Sequence, residues 1–446
     1  MKKHIRLSRS AFLLTLLTGH GLAQNPIILD QFTADPSARV FEGKVYVYPS
    51  HDIQREPGSG KAWFRMSDYH VYSSDNLTDW KDHGVIVSQE QVPWVDATTY
   101  SMWAPDCIYK GGKYYFYFPA MARDAGGKGM KIGVAISDKP AGPFVPEPSY
   151  IKDVAGIDPN PFIDRDGQAY LYWAGGSRLR MARLKDNMLE LASAPQIVEN
   201  LPPGFKEGPY LFERNGVYYL TFPLVTHKTE ELAYATGPGP LGPFKYAGVI
   251  MDESPDGCWT NHQSIIEYRG HWYLFYHHND LSPEFDKNRS IRVDEMFFND
   301  DGTIRKVIPT LRGVGITSAH GKIQIDRYSA KSERGSSIAF LDETKRSEGW
   351  KAVLRKAGAW FRYDRVNFDG GKPESIVIRA IAKAGGIVEI RLNHTAGPLV
   401  SRVDIPPHGD WTLVKAGLNE IPAGIQDLCL VSKNSDLVEV DWLRFE

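Results

Sequence analysis

Three acidic residues stand at matching places in the chain, each followed by a proline at once or after one residue. They are Asp35 in the run ADPS, Asp158 in IDPNP and Glu207 in KEGP. Proline fixes its own backbone angle and restricts the residue before it, so each carboxyl group would be held in a set direction. An aspartate before proline also starts ordinary turns, but three acids at equivalent places favour a shared function.

Three carboxyl groups around one cavity suit the hydrolysis of a glycosidic bond by single displacement. One carboxylate deprotonates a water molecule, and a second carboxylic acid protonates the leaving oxygen. The acid must keep its proton near neutral pH, so its pKa has to be raised. A third carboxylate nearby raises that pKa by like-charge repulsion. The set therefore predicts an inverting glycosidase.

The element that would position these groups is a hairpin that recurs five times. Each copy has an apolar strand, a turn with glycine and a strand of alternating aromatics, at 40–48, 108–117, 162–172, 211–220 and 266–276. The three acids precede the first, third and fourth copies. Five similar hairpins predict a five-bladed β-propeller, whose functional residues surround a central channel. A β-sandwich with several hairpins is the alternative.

The repeat ends near residue 315, and the remaining segment has strands of its own and a length that suits a β-sandwich. We therefore predict an all-β chain with a propeller at 24–318 and a jelly-roll β-sandwich at 322–446. Residues 1–23 read as a signal peptide, with lysines and arginines, a short apolar run and small residues at the cut. This predicts export from a bacterial cell, to the periplasm or outside.

Composition excludes several classes of function. The 446 residues carry a net charge of −2, so no basic surface indicates nucleic-acid binding. No run after the signal peptide is apolar for long enough to span a bilayer. The three cysteines are too few and too widely spaced for a disulfide framework or a metal site, so we expect three separate buried thiols, with one bridge as the alternative.

The acidic motifs, together with WAPD at 103–106, NHQS at 261–264 and RSIRVD at 289–294, resemble glycoside hydrolase family 43. The likeness covers about residues 25–315, and members of this family are five-bladed propellers. The resemblance implies that Asp35 is the general base and Glu207 the general acid. It implies that Asp158 tunes the pKa of the acid and orients it.

The same resemblance implies three supporting residues. Trp103 would line the sugar pocket, Arg289 would contact the substrate, and His262 would lie in the central channel. Some members bind calcium there through one histidine and waters, so a structural calcium is expected at His262, whereas the chemistry itself requires no cofactor. Each residue also has an ordinary alternative. Trp103 would pack in the core, and His262 would be a hydrogen-bonded core histidine. Arg289 would be an exposed arginine, with Arg292 as the rival candidate for contacting the substrate.

The C-terminal segment is similar to family 6 carbohydrate-binding modules, through 360–368 and 440–445. It departs from them at Asp441, where such modules usually have asparagine. It also has Val414 where a second tryptophan would follow Trp411. A structural domain docked on the propeller is therefore the alternative to a sugar-binding one.

The family resemblance implies a plant oligosaccharide or polysaccharide as substrate. We favour a secreted, exo-acting α-L-arabinofuranosidase, because long insertions between the hairpins favour a closed pocket. A β-xylosidase or a galactan- or galactofuranoside-active enzyme is the alternative within the family. A non-catalytic sugar-binding propeller is the alternative of another class. Retaining fructan-cleaving propellers carry signatures that this sequence lacks.

Overall fold

The computed structural model describes residues 25–53, 63–123, 129–255, 257–282, 285–342, 350–434 and 436–446. Across these ranges the regular structure is β, apart from one 3-10 turn at Gln89–Gln91. The predicted signal peptide at 1–23 lies outside the described residues. No helix in the described part is long and apolar enough to cross a membrane.

Five antiparallel sheets make up the first part of the chain, and each is a meander in chain order. The first three contain β1 (Phe32–Phe41), β2 (Lys44–Asp52), β3 (Asp68–Ser74) and β4 (Lys81–Ser88); β5 (Asp106–Lys110), β6 (Lys113–Met121), β7 (Met130–Ser137) and β8 (Val145–Pro146); and β9 (Ile157–Ile163), β10 (Ala169–Ala174), β11 (Leu179–Arg183) and β12 (Gln196–Ile197). The last two contain β13 (Tyr210–Arg214), β14 (Val217–Leu224), β15 (Glu231–Gly237) and β16 (Lys245–Met251); and β17 (Ser264–Tyr268), β18 (His271–His278) and β19 (Ser290–Met296). The predicted five-bladed propeller is confirmed.

Local turn chemistry explains why the five hairpins form. Each predicted copy joins the first two strands of one blade. Four of the turns consist of two residues that both have positive φ. This is the type I′ geometry, which matches the twist of the strands and favours glycine at its second position. These turns are Glu42–Gly43, Gly111–Gly112, Asn215–Gly216 and Arg269–Gly270.

The first strands of the five blades contact one another in a closed ring around the channel. Polar side chains join them across blade boundaries. Asp106 in β5 accepts hydrogen bonds from Arg39 in β1 (3.0 Å) and from Asn160 in β9 (2.7 Å). Asn160 accepts one from the backbone of Leu211 in β13 (2.8 Å), and Ser264 in β17 accepts one from the backbone of β1 (2.9 Å). These bonds fix the inner strands, which carry Asp35 and Asp158 and begin just after Glu207.

The start of the described chain closes the propeller ring. The backbone N–H of Ile27 donates to Ile291 in β19 (3.0 Å), and the Asn25 side chain bonds both backbone groups of Val293 (3.0 and 2.9 Å). Blade 5 has three strands of its own, so this segment extends its edge. Arg327, beyond the propeller, donates to the Asn25 carbonyl and links the closure to the second domain.

The C-terminal part is a β-sandwich of two six-stranded sheets, as predicted. One sheet contains β20 (Thr317–Ser318), β22 (Ala330–Lys331), β25 (Trp360–Asn367), β27 (Gly386–Leu392), β28 (Leu399–Ile405) and β30 (Ile425–Ser432). The other contains β21 (Ile323–Gln324), β23 (Ser336–Phe340), β24 (Trp350–Leu354), β26 (Ser375–Ala382), β29 (His408–Gly417) and β31 (Val438–Phe445). Their apolar inner faces share one core.

Two details bear on the predictions. The predicted end of the propeller at 318 falls inside β20, which pairs in parallel with β25 of the sandwich, and Arg312 before it already donates to the Asp364 carbonyl in β25. Cys107, Cys258 and Cys429 are free and buried, which confirms three separate thiols.

Candidate active site

Asp35 and Asp158 stand in matching β-bulges on the innermost strands of blades 1 and 3. The pairing of β1 with β2 shifts around Asp35, and the pairing of β9 with β10 shifts opposite Asp158. Both residues have left-handed backbone angles, with φ of +47° and +57°. Bulges re-aim side chains, and such strained angles in residues other than glycine cluster at functional sites. Both carboxyl groups line the same pocket.

Glu207 lies just before β13, the innermost strand of blade 4. Asp158 Oδ2 accepts a hydrogen bond from the backbone N–H of Gly208 (2.9 Å), so the aspartate holds the peptide that follows the glutamate. The Glu207 side chain is 21 % exposed, whereas that of Asp35 is 4 % exposed. Glu207 is therefore the acid that solvent or a leaving group reaches more readily.

All six predicted site residues line one pocket at the channel mouth: Asp35, Trp103, Asp158, Glu207, His262 and Arg289. Three further aromatic residues, Trp63, Phe64 and Trp259, also line it. Trp103 packs against Phe64, with ring centroids 6.4 Å apart, and against the core of the first two blades. It therefore contributes to core packing and also lines the pocket. The pocket thus has aromatic walls and a charged floor.

Three groups hold Asp35 by hydrogen bonds. Its Oδ2 accepts from Ser50 (2.6 Å), its Oδ1 accepts from Arg289 (2.7 Å), and its backbone N–H donates to His277 Nδ1 (3.0 Å). Burial by itself would raise the pKa of Asp35, but the charges of Arg289 and His262 outweigh it and hold that pKa well below its usual range. Asp35 is therefore ionised at neutral pH, as a general base must be.

Arg289 is buried and donates to Asp35, so the exposed-arginine alternative is excluded. Its Nε and Nη2 donate to the two oxygens of Asp52 (2.9 Å each), and its Nη1 donates to Asp35. This fork geometry fixes the guanidinium in one orientation. The rival Arg292 is instead paired with Asp280.

His262 lies between the two predicted catalytic groups. Its Nδ1 is 3.3 Å from Asp35 Oδ1, and its Nε2 is 3.2 Å from Glu207 Oε1. Burial would lower the pKa of His262, but the carboxyl groups of Asp35, Asp158 and Glu207 raise it to about 10. At neutral pH the ring is an imidazolium that separates the two acids and contacts both.

Two buried carboxyl groups next to this imidazolium, those of Asp158 and Glu230, have raised pKa values and therefore tend to stay protonated themselves. Burial raises the pKa of Asp158 to about 7; the nearby charge of His262 opposes this rise, and Glu207 adds to it. Burial also raises the pKa of Glu230 well above its usual range. Glu230 Oε2 accepts from the backbone of Asn261 (2.8 Å), whereas its Oε1 is buried without a partner. Carboxyl groups that favour protonation therefore lie next to the charged ring of His262.

Sequence reasoning missed the residues that support Asp35. Ser50 and Asp52 alternate along β2, and a change from apolar to polar residues on one strand face was the available signal. His277 and the neighbouring His278 are both buried. The pKa of His277 lies well below its usual value because burial and Arg289 disfavour its charge, so it accepts the Asp35 N–H as a neutral ring.

The channel beside this floor offers ligands that fit a hydrated cation. Asp158, Glu207 and His262 each present a ligand atom within 4.8 Å of the others. Gln263 Oε1 is buried and has no hydrogen-bond partner among the described residues, and Gln263 lines a cavity of the channel together with His262 and Asp158. Amide and carboxyl oxygens with waters suit Ca²⁺. Both nitrogens of the protonated His262 ring contact carboxyl groups. One nitrogen would therefore have to release its proton before it could bind the cation.

Comparison with known proteins identifies the families that the two parts of the chain match. The model of glycosyl hydrolases family 43 matches residues 23–304, and that of carbohydrate binding module (family 6) matches residues 329–446. A xylosidase/arabinosidase of Humicola insolens is 39 % identical over 63 % of this chain and 98 % of its own length.

Solved structures give the same result. A β-xylosidase/α-arabinofuranosidase from a compost microbial metagenome, in complex with xylotriose and in calcium-free form, has a TM-score of 0.58 at 38 % identity, over 65 % of this chain and 98 % of that chain. An arabinoxylan arabinofuranohydrolase of Bacillus subtilis has a TM-score of 0.57 over 94 % of this chain and 97 % of that chain. At 23 % identity this second likeness concerns the fold, and it extends through both domains. The family model covers more than half of the chain, which therefore belongs to glycosyl hydrolase family 43, with a family 6 carbohydrate-binding module at its C-terminal end.

Proposed function

We propose that this enzyme is an exported, exo-acting α-L-arabinofuranosidase that removes terminal arabinofuranose from plant polysaccharide side chains with inversion. The observation that carries the proposal is the placement of Asp35 and Glu207 at opposite nitrogens of His262, on the floor of an aromatic-walled pocket. The xylosidase/arabinosidase names of the relatives support a pentose as the sugar.

In this mechanism the ionised Asp35 removes a proton from water as that water attacks the anomeric carbon. Glu207 gives its proton to the leaving oxygen on the other side of the sugar. Arg289 and Ser50 hold the base in position, and Asp158 holds the peptide next to the acid. Aromatic walls suit the apolar faces of a sugar ring.

We propose further that the channel takes a structural Ca²⁺. His262 and the unpartnered oxygen of Gln263 would hold it, with waters in the remaining positions. When bound, the ion supplies positive charge next to the carboxyl groups, in place of the proton on the imidazole. Asp35 and Glu207 would keep their roles.

A second candidate, β-xylosidase activity, is favoured by a specific observation. Relatives at 37–39 % identity carry the names xylosidase/arabinosidase and β-xylosidase, and one solved relative is in complex with xylotriose. Both sugars are pentoses that differ in ring size and anomeric form. The same floor of carboxyl groups would serve either one.

The first prediction concerns the sugar. Among nitrophenyl glycosides, α-L-arabinofuranoside should give the highest kcat/KM, and β-D-xyloside should be the next best. A galactofuranoside should be slower, because its longer side chain must fit the same pocket. Measuring initial rates at matched enzyme concentration decides the order. A preference for the galactofuranoside would overturn the pentose assignment, and no release from any member of the panel would overturn the enzymatic proposal.

The second prediction concerns stereochemistry. His262 separates the two acids, and single displacement needs roughly 6.5–9.5 Å between the carboxyl groups, so that a water fits. The first-formed product should therefore have the opposite anomeric configuration to the substrate. Proton NMR during the first turnovers measures this before mutarotation. A product that keeps the configuration of the substrate would contradict single displacement.

The third prediction concerns Asp158. Asp158→Asn keeps an oxygen for the Gly208 N–H but removes the negative charge that Asp158 carries at pH values above its pKa of about 7. A neighbouring general acid loses its proton more easily without that charge, so the basic limb of kcat/KM against pH should move to lower pH. Asp158→Ala serves as the matched control, because it also loses the hydrogen bond and should lower kcat at all pH values. A basic limb that stays in place or moves up in Asp158→Asn would refute charge tuning.

We propose a docking role for the sandwich in place of sugar binding at Asp441. That carboxylate is paired with Arg379, whose guanidinium packs over the ring of Trp411 at 4.8 Å. Asp441, which departs from the module pattern, therefore already forms an ion pair within the domain. Arg327 and Arg312 both donate hydrogen bonds across the domain boundary, to Asn25 and to the Asp364 carbonyl.

A further inference from the structure

A second group of chemically active side chains lies on blade 1, outside the pocket. Asp68 and His70 are two residues apart on β3 and therefore share a face. Ser50 pairs with Tyr69 in the β2–β3 ladder, so His51 at the end of β2 stands opposite Asp68. The strand register thus brings two imidazoles and one carboxylate together.

The three side chains are close enough to bind one ion. His51 Nδ1 is 2.6 Å from Asp68 Oδ1, and His70 Nε2 is 3.8 Å from the same oxygen. One ligand atom from each lies within 4.8 Å of the other two. The side chains are 22, 17 and 11 % exposed, so the group is largely enclosed and still accessible from solvent.

Outer contacts orient these ligands. His70 Nδ1 lies 3.0 Å from both oxygens of Asp82, so that nitrogen carries a proton and the lone pair of Nε2 points towards Asp68. The second oxygen of Asp68 accepts from Ser67 (2.7 Å). A carboxylate behind a histidine and a hydroxyl behind a carboxylate are the arrangement that orients metal ligands and tunes their basicity.

We propose that His51, Asp68 and His70 form a Zn²⁺ site that is separate from the channel. Two imidazole nitrogens and one carboxylate oxygen match the preference of this ion, and a water would complete four-coordination. The ion would cross-link β2 to β3. His51 lies between Ser50 and Asp52, which hold Asp35 and Arg289, so the ion would stabilise the strand that supports the base.

The test uses the untagged full chain, stripped with EDTA and titrated with Zn²⁺ by calorimetry and by thermal unfolding. Wild type should bind one more equivalent of Zn²⁺ than His70→Gln, and its Tm should rise by about 2 °C or more where that of His70→Gln does not. His271→Gln is the matched control, because His271 on β18 pairs with Glu295 on β19 (2.7 Å) and, among the described residues, belongs to no group of three possible metal ligands. It should behave as wild type.

Asp82→Asn provides a second variant that leaves all three ligands in place. Loss of the outer carboxylate should weaken Zn²⁺ binding by about 10–100-fold. Equal stoichiometry and equal Tm response in His70→Gln and wild type would overturn the proposal and leave a proton-sharing network of histidines and aspartates. If His70→Gln fails to fold, unchanged Zn²⁺ affinity in Asp82→Asn would overturn it instead.

Discussion

Replacing Asp35 by asparagine is expected to lower kcat by about 10³-fold and to leave sugar binding intact. General-base catalysis contributes about 10²–10⁴-fold, and Asp35 is fixed in position because Arg289 and Ser50 donate to its carboxylate and its backbone N–H donates to His277. Steady-state kinetics on the preferred nitrophenyl glycoside measures the rate. Calorimetry with the uncleaved oligosaccharide measures binding.

Folding of this variant should survive for two structural reasons. Asparagine tolerates the left-handed backbone at position 35, and Arg289 keeps its two bonds to Asp52. Ser50→Ala is the matched control, since it removes one hydrogen bond to Asp35 and keeps the base, and it should cost less than about tenfold. An Asp35→Asn enzyme that retains a tenth of the wild-type rate would exclude Asp35 as the base.

Replacing Glu207 by glutamine should have a large effect that depends on the leaving group. Loss of the proton donor should lower kcat by about 10³-fold on natural linkages, because the leaving sugar oxygen needs a proton. A dinitrophenyl glycoside, whose leaving group departs without protonation, should lose far less. Comparing the two substrates in wild type and variant separates the loss of the acid from general damage to the site.

Glu230→Gln is the control for this experiment. Glu230 is buried near Glu207 and bonds the backbone of Asn261, so it is a neighbouring acid without access to the leaving group. Its replacement should affect both substrates equally. Equal losses on both substrates in Glu207→Gln, or a leaving-group dependence in Glu230→Gln, would contradict the assignment of the acid.

Much of the fold could be predicted because its signals are local. Consecutive residues determine the two-residue turns, such as Asn215–Gly216, and the aromatic strands beside them. The end of the propeller was less well defined, since β20 is two residues long and pairs with β25 about fifty positions later. A short strand of this kind carries no pattern of its own.

The site was predictable only in part, for a related reason. Asp35, Asp158 and Glu207 each precede a copy of the repeated hairpin, so the repeat made them detectable in the sequence. Their partners follow no repeat: Arg289 reaches Asp35 and Asp52 across more than 230 positions, and this pairing exists only once the ring closes. The charge on His262 likewise depends on three carboxyl groups from three blades.

The left-handed backbone at Asp35 and Asp158 has an evolutionary consequence. Glycine and, to a lesser degree, asparagine occupy this region at lower cost than aspartate, so each acid is kept against a standing loss of about 1–3 kcal/mol in stability. In a gene copy released from selection for hydrolysis, asparagine at either position would lower this backbone cost and keep an oxygen for the neighbouring donors, whereas glycine at position 35 would leave Arg289 and Ser50 each with a buried donor that has lost its acceptor. Descendants that persist as inactive sugar-binding proteins should therefore first show asparagine at positions 35 and 158. At Glu207, outside this backbone region, replacements should follow no such bias.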